Sequence, residues 1–287
     1  MPNCIFATDL HGRPNRYEKL FTRIEQRSPD AVFLGGDLTP FPMAVIDPDH
    51  PLPPDFLLDY LACNLEQIRQ RMGARYPRVF AIPGNDDHRS LEVDMLEAER
   101  RGVWTYCHNR RCEFEGYDVY GYAFVPPTPF MLKDWERYDV SRYVPPGCVS
   151  PESGRRSMEV DPREVRFGTI AEDLDRLVSD RQLDNAIMLF HTPPHDTVLD
   201  RVANDGKTVE HVPLDLNVGS IAVRRFIEKR QPLLTLHGHI HESTRLTGGW
   251  RERIGHTHAL GAAHDGPELA LVSFDPGDLQ GATRQLI

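Results

Sequence analysis

Short apolar runs recur along the chain at nearly regular intervals. They are "CIFATDL" from residue 4, "AVFLGGDL" from 31, "RVFAIPGND" from 78, "YDVYGYAF" from 117, "AIMLFHT" from 186, "PLLTLHGH" from 232 and "LALVSF" from 269. Most are continuous rather than alternating, the pattern of strands buried on both faces. Between them lie segments with apolar residues at helical spacing. Asn15 and Glu18 form a capping-box pattern ahead of Tyr17, Leu20, Phe21 and Ile24. "DFLLDYLACNLEQIRQRMG" places Leu58, Leu61, Leu65, Ile68 and Met72 on one stripe, with Gly73 positioned to end the helix. Thr169 with Glu172 predicts a second capping box, and Ser220 predicts the cap of "IAVRRFIEKR", which Pro232 closes. Strand and helix signals in alternation define an α/β chain.

Two stretches break the alternation. Residues 39–54 are proline-rich, and residues 126–166 are long, charged and rich in Pro and Gly. Both read as loop insertions, either functional rims or solvated surface. No repeat and no linker divides the sequence, so residues 1–287 are expected to form a single domain.

Composition narrows the function classes. A formal charge of -10 disfavours duplex nucleic acid and anionic membrane as partners. No apolar run is long enough to cross a bilayer, and the N-terminus reads as a first strand rather than a signal peptide. Five scattered cysteines, at 4, 63, 107, 112 and 148, lack disulfide or zinc spacing and read as reduced thiols. The expected location is therefore the cytoplasm.

The polar residues that matter recur at one kind of place. Asp9 and His11 follow the first strand, Asp37 the second, and Asn85, Asp86 and Asp87 the third. His191 follows "AIMLF", and His239 and His241 follow "LLTLHG". The C-terminal ends of strands are where α/β sheets hold ligands. Carboxylates and imidazoles without thiolates point to Mn, Fe, Zn or Co. The donors exceed what one tetrahedral ion needs and suit two ions sharing a carboxylate.

The ordered motifs Asp-x-His, Gly-Gly-Asp, Gly-Asn-x-Asp, a lone His and Gly-His-x-His resemble the calcineurin-like metallophosphoesterases. The matching pieces run from Asp9 to His241. The resemblance implies a four-layer α/β/β/α sandwich with two mixed β-sheets. It implies that Asp9, His11 and His241 hold one divalent ion, that Asn85, His191 and His239 hold the other, and that Asp37 bridges them. It further implies hydrolysis of phosphomonoesters or phosphodiesters of a small molecule or nucleotide by attack of a metal-bridging hydroxide, with Mn the ion expected to support activity in vitro. His237 matches no family ligand and reads as a supporting residue or as the last residue of its strand.

One position departs from the family. Where the family reads Gly-Asn-His-Asp or Gly-Asn-His-Glu, with the histidine placed to protonate the leaving group, this chain has "GNDD". Asp86 takes the histidine's place and Asp87 that of the acid orienting it. An aspartate is largely ionised at neutral pH, and cations nearby lower its pKa further. Three readings follow: substrates with good leaving groups, proton donation by His88 or His195, or a binding role for Asp86. His195 heads the candidate donors, while His88 also reads as a helix cap or a solvent residue. His256, His258 and His264 read as a loop cluster, either exposed or returning beside the metals. The same departure keeps open a non-catalytic, metal-binding scaffold of the same fold, and a mononuclear hydrolase stands as a third reading.

Overall fold

The computed structural model describes residues 2–40 and 52–287. The proline-rich stretch expected as an insertion at 39–54 falls largely outside the described residues.

The described residues form fourteen strands. Six make the first sheet, in the order β14 (Asp278–Leu286), β13 (Ala270–Asp275), β1 (Cys4–Ala7), β2 (Ala31–Gly35), β3 (Arg78–Ile82) and β4 (Thr105–Tyr106). Six make the second, in the order β11 (Arg251–Ile254), β12 (Thr257–Gly261), β10 (Leu234–His237), β7 (Ala186–Phe190), β6 (Tyr117–Tyr122) and β5 (Arg110–Phe114). A short hairpin, β8 (Thr208–Val209) and β9 (Val212–Pro213), stands apart. Strands β1 to β4 run parallel, as do β6, β7, β10 and β12, while β13 and β14 in the first sheet and β5 and β11 in the second pair antiparallel with their neighbours, so both sheets are mixed.

The period-2 alternation of strand side chains sorts the core into three apolar layers. Cys4, Phe6, Ala31, Phe33, Phe80 and Ile82 of the first sheet meet Val119, Ile187, Leu189, Leu234, Leu236 and Leu260 of the second, so the sheets pack face to face. The opposite face of the first sheet, Ile5, Ala7, Val32, Leu34, Val79 and Ala81, packs under the helices α1 (Pro14–Arg27), α2 (Cys63–Met72) and α3 (Glu92–Arg100). The opposite face of the second, with Tyr120, Tyr122, Met188 and Phe190, packs under α5 (Ile170–Val178) and α6 (Ile221–Arg230). This is the four-layer α/β/β/α sandwich, and it explains the continuous apolar runs: every central strand is covered on both sides.

Helix ends follow the sequence in most places. Thr169 caps α5 by accepting from the Glu172 N–H at 3.2 Å, and Ser220 caps α6 by accepting from the Val223 N–H at 3.0 Å. Gln231, in the left-handed region at φ 48°, ends α6 just before Pro232. The expected Asn15–Glu18 capping box is not formed. Pro14 occupies the first turn and Arg13 the cap position, with no side-chain bond, because the fixed φ of proline already suits that position. The helix predicted over 55–73 opens with a wider π-type turn, Phe56–Ala62, capped by Asp55, before continuing as α2.

The stretch 126–166 is packed into the protein over its first part and mostly half-buried or exposed from residue 139 onward. Lys133, Asp134, Trp135 and Glu136 are buried there. The Lys133 ammonium, 2.5 Å from Glu136, also donates to the Thr128 carbonyl, so the buried charge is paired and hydrogen-bonded. The segment closes with the short helix α4 (Pro162–Phe167). Among the described residues no helix is long and apolar enough to cross a membrane.

Candidate metal centre

The parallel strands of both sheets deliver their C-terminal ends to one place. The loops after β1 and β2 are stitched together by backbone bonds from Asp9 N to Gly36 O (3.0 Å) and from His11 N to Asp37 O (2.8 Å). The turn after β10 joins them: the His239 N–H donates to the Asp9 carboxylate at 3.0 Å. Gly238 makes this approach possible, since a Cβ there would lie 2.3 Å from Thr8 Oγ1. Asp9, His11, Asp37 and His239 all hold positive φ, at 56°, 48°, 53° and 70°. Non-glycine residues in that region are strained, and four of them in one cluster is the pattern of a functional site over-determined by its surroundings.

Asp9, His11, Asp37 and His241 each offer a ligand atom within 4.8 Å of the others. His11 Nε2 and His241 Nε2 face each other at 3.0 Å. His241 Nε2 is 3.4 Å from an Asp9 oxygen, and His11 Nε2 is 3.7 Å from Asp37 Oδ2. On the other side, His191 Nε2 lies 3.0 Å from Asn85 Oδ1 and 3.3 Å from the same Asp37 Oδ2. His191 Nδ1 faces the Gly35 carbonyl at 2.8 Å, which leaves Nε2 free for the cluster. The ring of His239 stands 5.2 Å from that of His191. All seven expected ligands therefore converge, and Asp37 stands between two subsets of them.

The electrostatics agree with a cation site. Burial pushes the Asp37 and Asp9 carboxyls up, yet the neighbouring His191 for one and His241 for the other outweigh it, holding Asp37 well below the carboxylate range and lowering Asp9. Burial pulls His191 down, but the Asp37 charge and hydrogen bond raise it to about 10. His239, with burial dominant and the His191 charge added, falls to about 3. Asp9 and Asp37 are buried, and among the described residues no lysine or arginine pairs with either carboxylate. Two buried carboxylates facing imidazoles, with no lysine or arginine paired to them among the described residues, fit divalent ions, which would displace the proton from His191.

The remaining sequence-derived candidates separate. Asp86 sits at the rim: its oxygens lie 3.0 Å from Asn85 Nδ2 and 3.6 Å from His11 Nδ1, and its N–H donates to Asp37 Oδ1 at 2.8 Å. Burial, then the Asp37 and Asp87 charges, raise its pKa to about 7; cations in the cluster act in the opposite sense. Asp87 turns inward and accepts from the N–H groups of Leu38 (3.0 Å), Thr39 (2.8 Å) and Gly84 (2.8 Å) and from the Thr39 hydroxyl (2.6 Å). It clamps the Asp37 loop to the Asn85 loop. His195 carries its ring beside Asp215 at 3.5 Å, and among the described residues no hydrogen bond or ion pair joins it to the cluster. His88 is exposed. His237 is a core histidine, with both ring nitrogens partnered by Thr192 O (2.9 Å) and Thr235 Oγ1 (2.7 Å). The histidines read as a loop cluster are split: His258 lies within β12, and His264 pairs with Glu268 at 2.9 Å.

Arg16 was not singled out from the sequence. It is buried, donates to the Asp9 carbonyl at 2.5 Å and reaches the Gly266 carbonyl, tying the first ligand loop to the segment before β13. Its signal was its place four residues before Leu20 on the apolar stripe of α1.

Comparison with known proteins agrees with this geometry. Residues 3–243 match the family described as calcineurin-like phosphoesterase, and the chain belongs to that family. One solved structure superposes with a TM-score of 0.60 at 17% identity, covering 100% of this chain and 99% of that one. The TT1561 protein of Thermus thermophilus superposes with a TM-score of 0.56 at 16% identity, covering 99% and 98%. At these identities the likeness is one of fold. No curated protein matches the chain in sequence.

Proposed function

We propose that the chain is a two-metal phosphoesterase acting on phosphomonoesters or phosphodiesters of a small molecule or nucleotide. The observation that carries the proposal is the position of Asp37, whose Oδ2 is 3.7 Å from His11 Nε2 on one side and 3.3 Å from His191 Nε2 on the other. One carboxylate shared by two ligand sets is what a binuclear centre requires. Asp9, His11 and His241 would hold one ion, Asn85, His191 and His239 the second, and Asp37 both. When bound, such ions supply Lewis acidity toward phosphoryl oxygens and acidify a water. The chain's own part is positioning. The Gly35 carbonyl fixes the His191 ring, and Asp9 fixes the backbone that presents His239. Asp87 holds the two loops on which Asp37 and Asn85 sit.

Asp86 stands at the rim where the family carries a proton-donating histidine, and His195 is engaged with Asp215. This arrangement supports substrates whose leaving oxygen departs without strong general-acid help. The test is hydrolysis of p-nitrophenyl phosphate and bis(p-nitrophenyl) phosphate with Mn supplied. Metal-dependent turnover that disappears in Asp37→Asn supports the reading. Turnover equal to that of Asp37→Asn under every metal tried would leave a metal-binding scaffold as the better description.

A further inference from the structure

A second polar cavity, of about 560 Å³, is lined by residues that the metal centre does not use, among them Arg89, His108, Phe124, Arg137, Arg163 and Arg176. Its size is in the range of small-molecule sites. His108 forms its inner wall. The ring is only 9% exposed and is boxed in by Tyr106, Tyr122, Phe124 and Trp135. Its Nδ1 accepts the Ala123 N–H at 3.0 Å. That bond fixes the tautomer, so Nε2 carries the hydrogen. Among the described residues, Nε2 has no acceptor. Nε2 is not sealed off by the protein, so it presents its N–H to the cavity, where an acceptor from outside the chain can reach it.

The surrounding charges point to the same occupant. Two of the three acids of the cavity are engaged, Asp173 accepting from Arg137, Arg176 and the Tyr122 hydroxyl and Glu164 pairing with Arg137 and Arg89, while the third, Glu172, has no cationic partner among the described residues. Arg137 is stacked over Phe124 at 4.2 Å and Arg89 over Trp135 at 5.5 Å, so their guanidinium planes are held. The Arg163 guanidinium has no acidic partner among the described residues. Arg89, Arg137, Arg163 and Arg176 thus face Glu164, Glu172 and Asp173, and the wall is net positive.

We propose that this cavity binds a small organic or inorganic oxyanion, a phosphate or carboxylate group, held by His108 Nε2–H and the Arg163 guanidinium. The site is distinct from the metal centre, and its test does not depend on the activity proposed above. Inorganic phosphate and citrate are titrated separately into the full chain, and the His108 ring signals are followed by NMR, assigned by their loss in His108→Gln. The titrations are repeated in Asp37→Asn, which removes the shared carboxylate of the metal centre, and in Arg163→Ala. The Arg163 side chain is exposed, so its removal leaves folding intact. The expected result is a saturable shift of His108 with at least one probe. It survives Asp37→Asn, and its affinity falls about fivefold in Arg163→Ala, the effect of losing one partly solvated charge. The absence of a saturable shift with both probes overturns the proposal. So does a shift that vanishes in Asp37→Asn, which assigns the anion to the metal centre, or one indifferent to Arg163→Ala.

Discussion

Asp37 Oδ2 lies 3.3 Å from His191 Nε2, and this contact joins the two sheets at their C-terminal edges. Asp37 follows β2 of the first sheet and His191 follows β7 of the second. The proposed centre is therefore a property of the sandwich rather than of any one loop, and perturbing Asp37 is expected to affect both halves.

Asp37→Asn keeps an oxygen to accept the Asp86 N–H but removes the charge shared between the ligand sets. Activity in saturating Mn is expected to fall by at least about a hundredfold, the scale of losing a main electrostatic contribution to phosphoryl transfer. Comparing kcat for wild type and variant checks this, and a loss under about tenfold would argue against the shared role.

Asp86→His restores the imidazole at the rim. With aryl phosphates of graded leaving-group pKa, the wild-type rate is expected to fall steeply as the leaving group becomes poorer, and the variant's dependence is expected to flatten. A wild type already insensitive to the leaving group would mean that another residue donates the proton.

Asp87→Ala leaves the N–H groups of Leu38, Thr39 and Gly84 without their acceptor in a buried place. Urea denaturation is expected to show a loss of about 3 kcal/mol, the scale of buried donors stripped of a charged partner. A loss under about 1 kcal/mol would show that the two loops hold together without the clamp.

His108 gives a pH dependence away from the metals. Burial, then the Arg89 and Arg137 charges, lower its pKa from 6.5 to about 3. The folded chain therefore keeps this ring neutral while the unfolded chain protonates it below about 6.5. Its contribution is fully present above that pH and is lost as pH falls toward 3, by up to about 1.4 kcal/mol per pH unit. Relative to wild type, His108→Gln is expected to lose less stability between pH 6.5 and 4. Parallel stability curves for the two would contradict this.

The parts legible in the sequence were those where residue type and burial coincide. Runs such as "CIFA" and "AIMLF" announce strands covered on both faces, and each carries a candidate ligand just past its end. The edge strands gave no such signal. Arg110–Phe114, Arg251–Ile254 and Asp278–Leu286 place Arg, Glu or Gln toward solvent and form no apolar run. β12 was hidden by its histidine and small residues, so His258 read as loop. The 126–166 segment has no periodicity, because its order comes from buried polar contacts such as Lys133 with Glu136, which no pattern of apolar positions encodes. Asp87 was legible as an acid at the site. Its work as a backbone clamp was not, because its partners come from the loop after β2, far away in sequence.

The most direct measurement is the metal content of the purified chain after dialysis against Mn, by elemental analysis, for wild type and Asp37→Asn. The account predicts two ions per wild-type chain and a loss of both from the variant, or of at least the more weakly held one. A single ion per chain, unchanged by Asp37→Asn, would contradict a centre built on a shared Asp37.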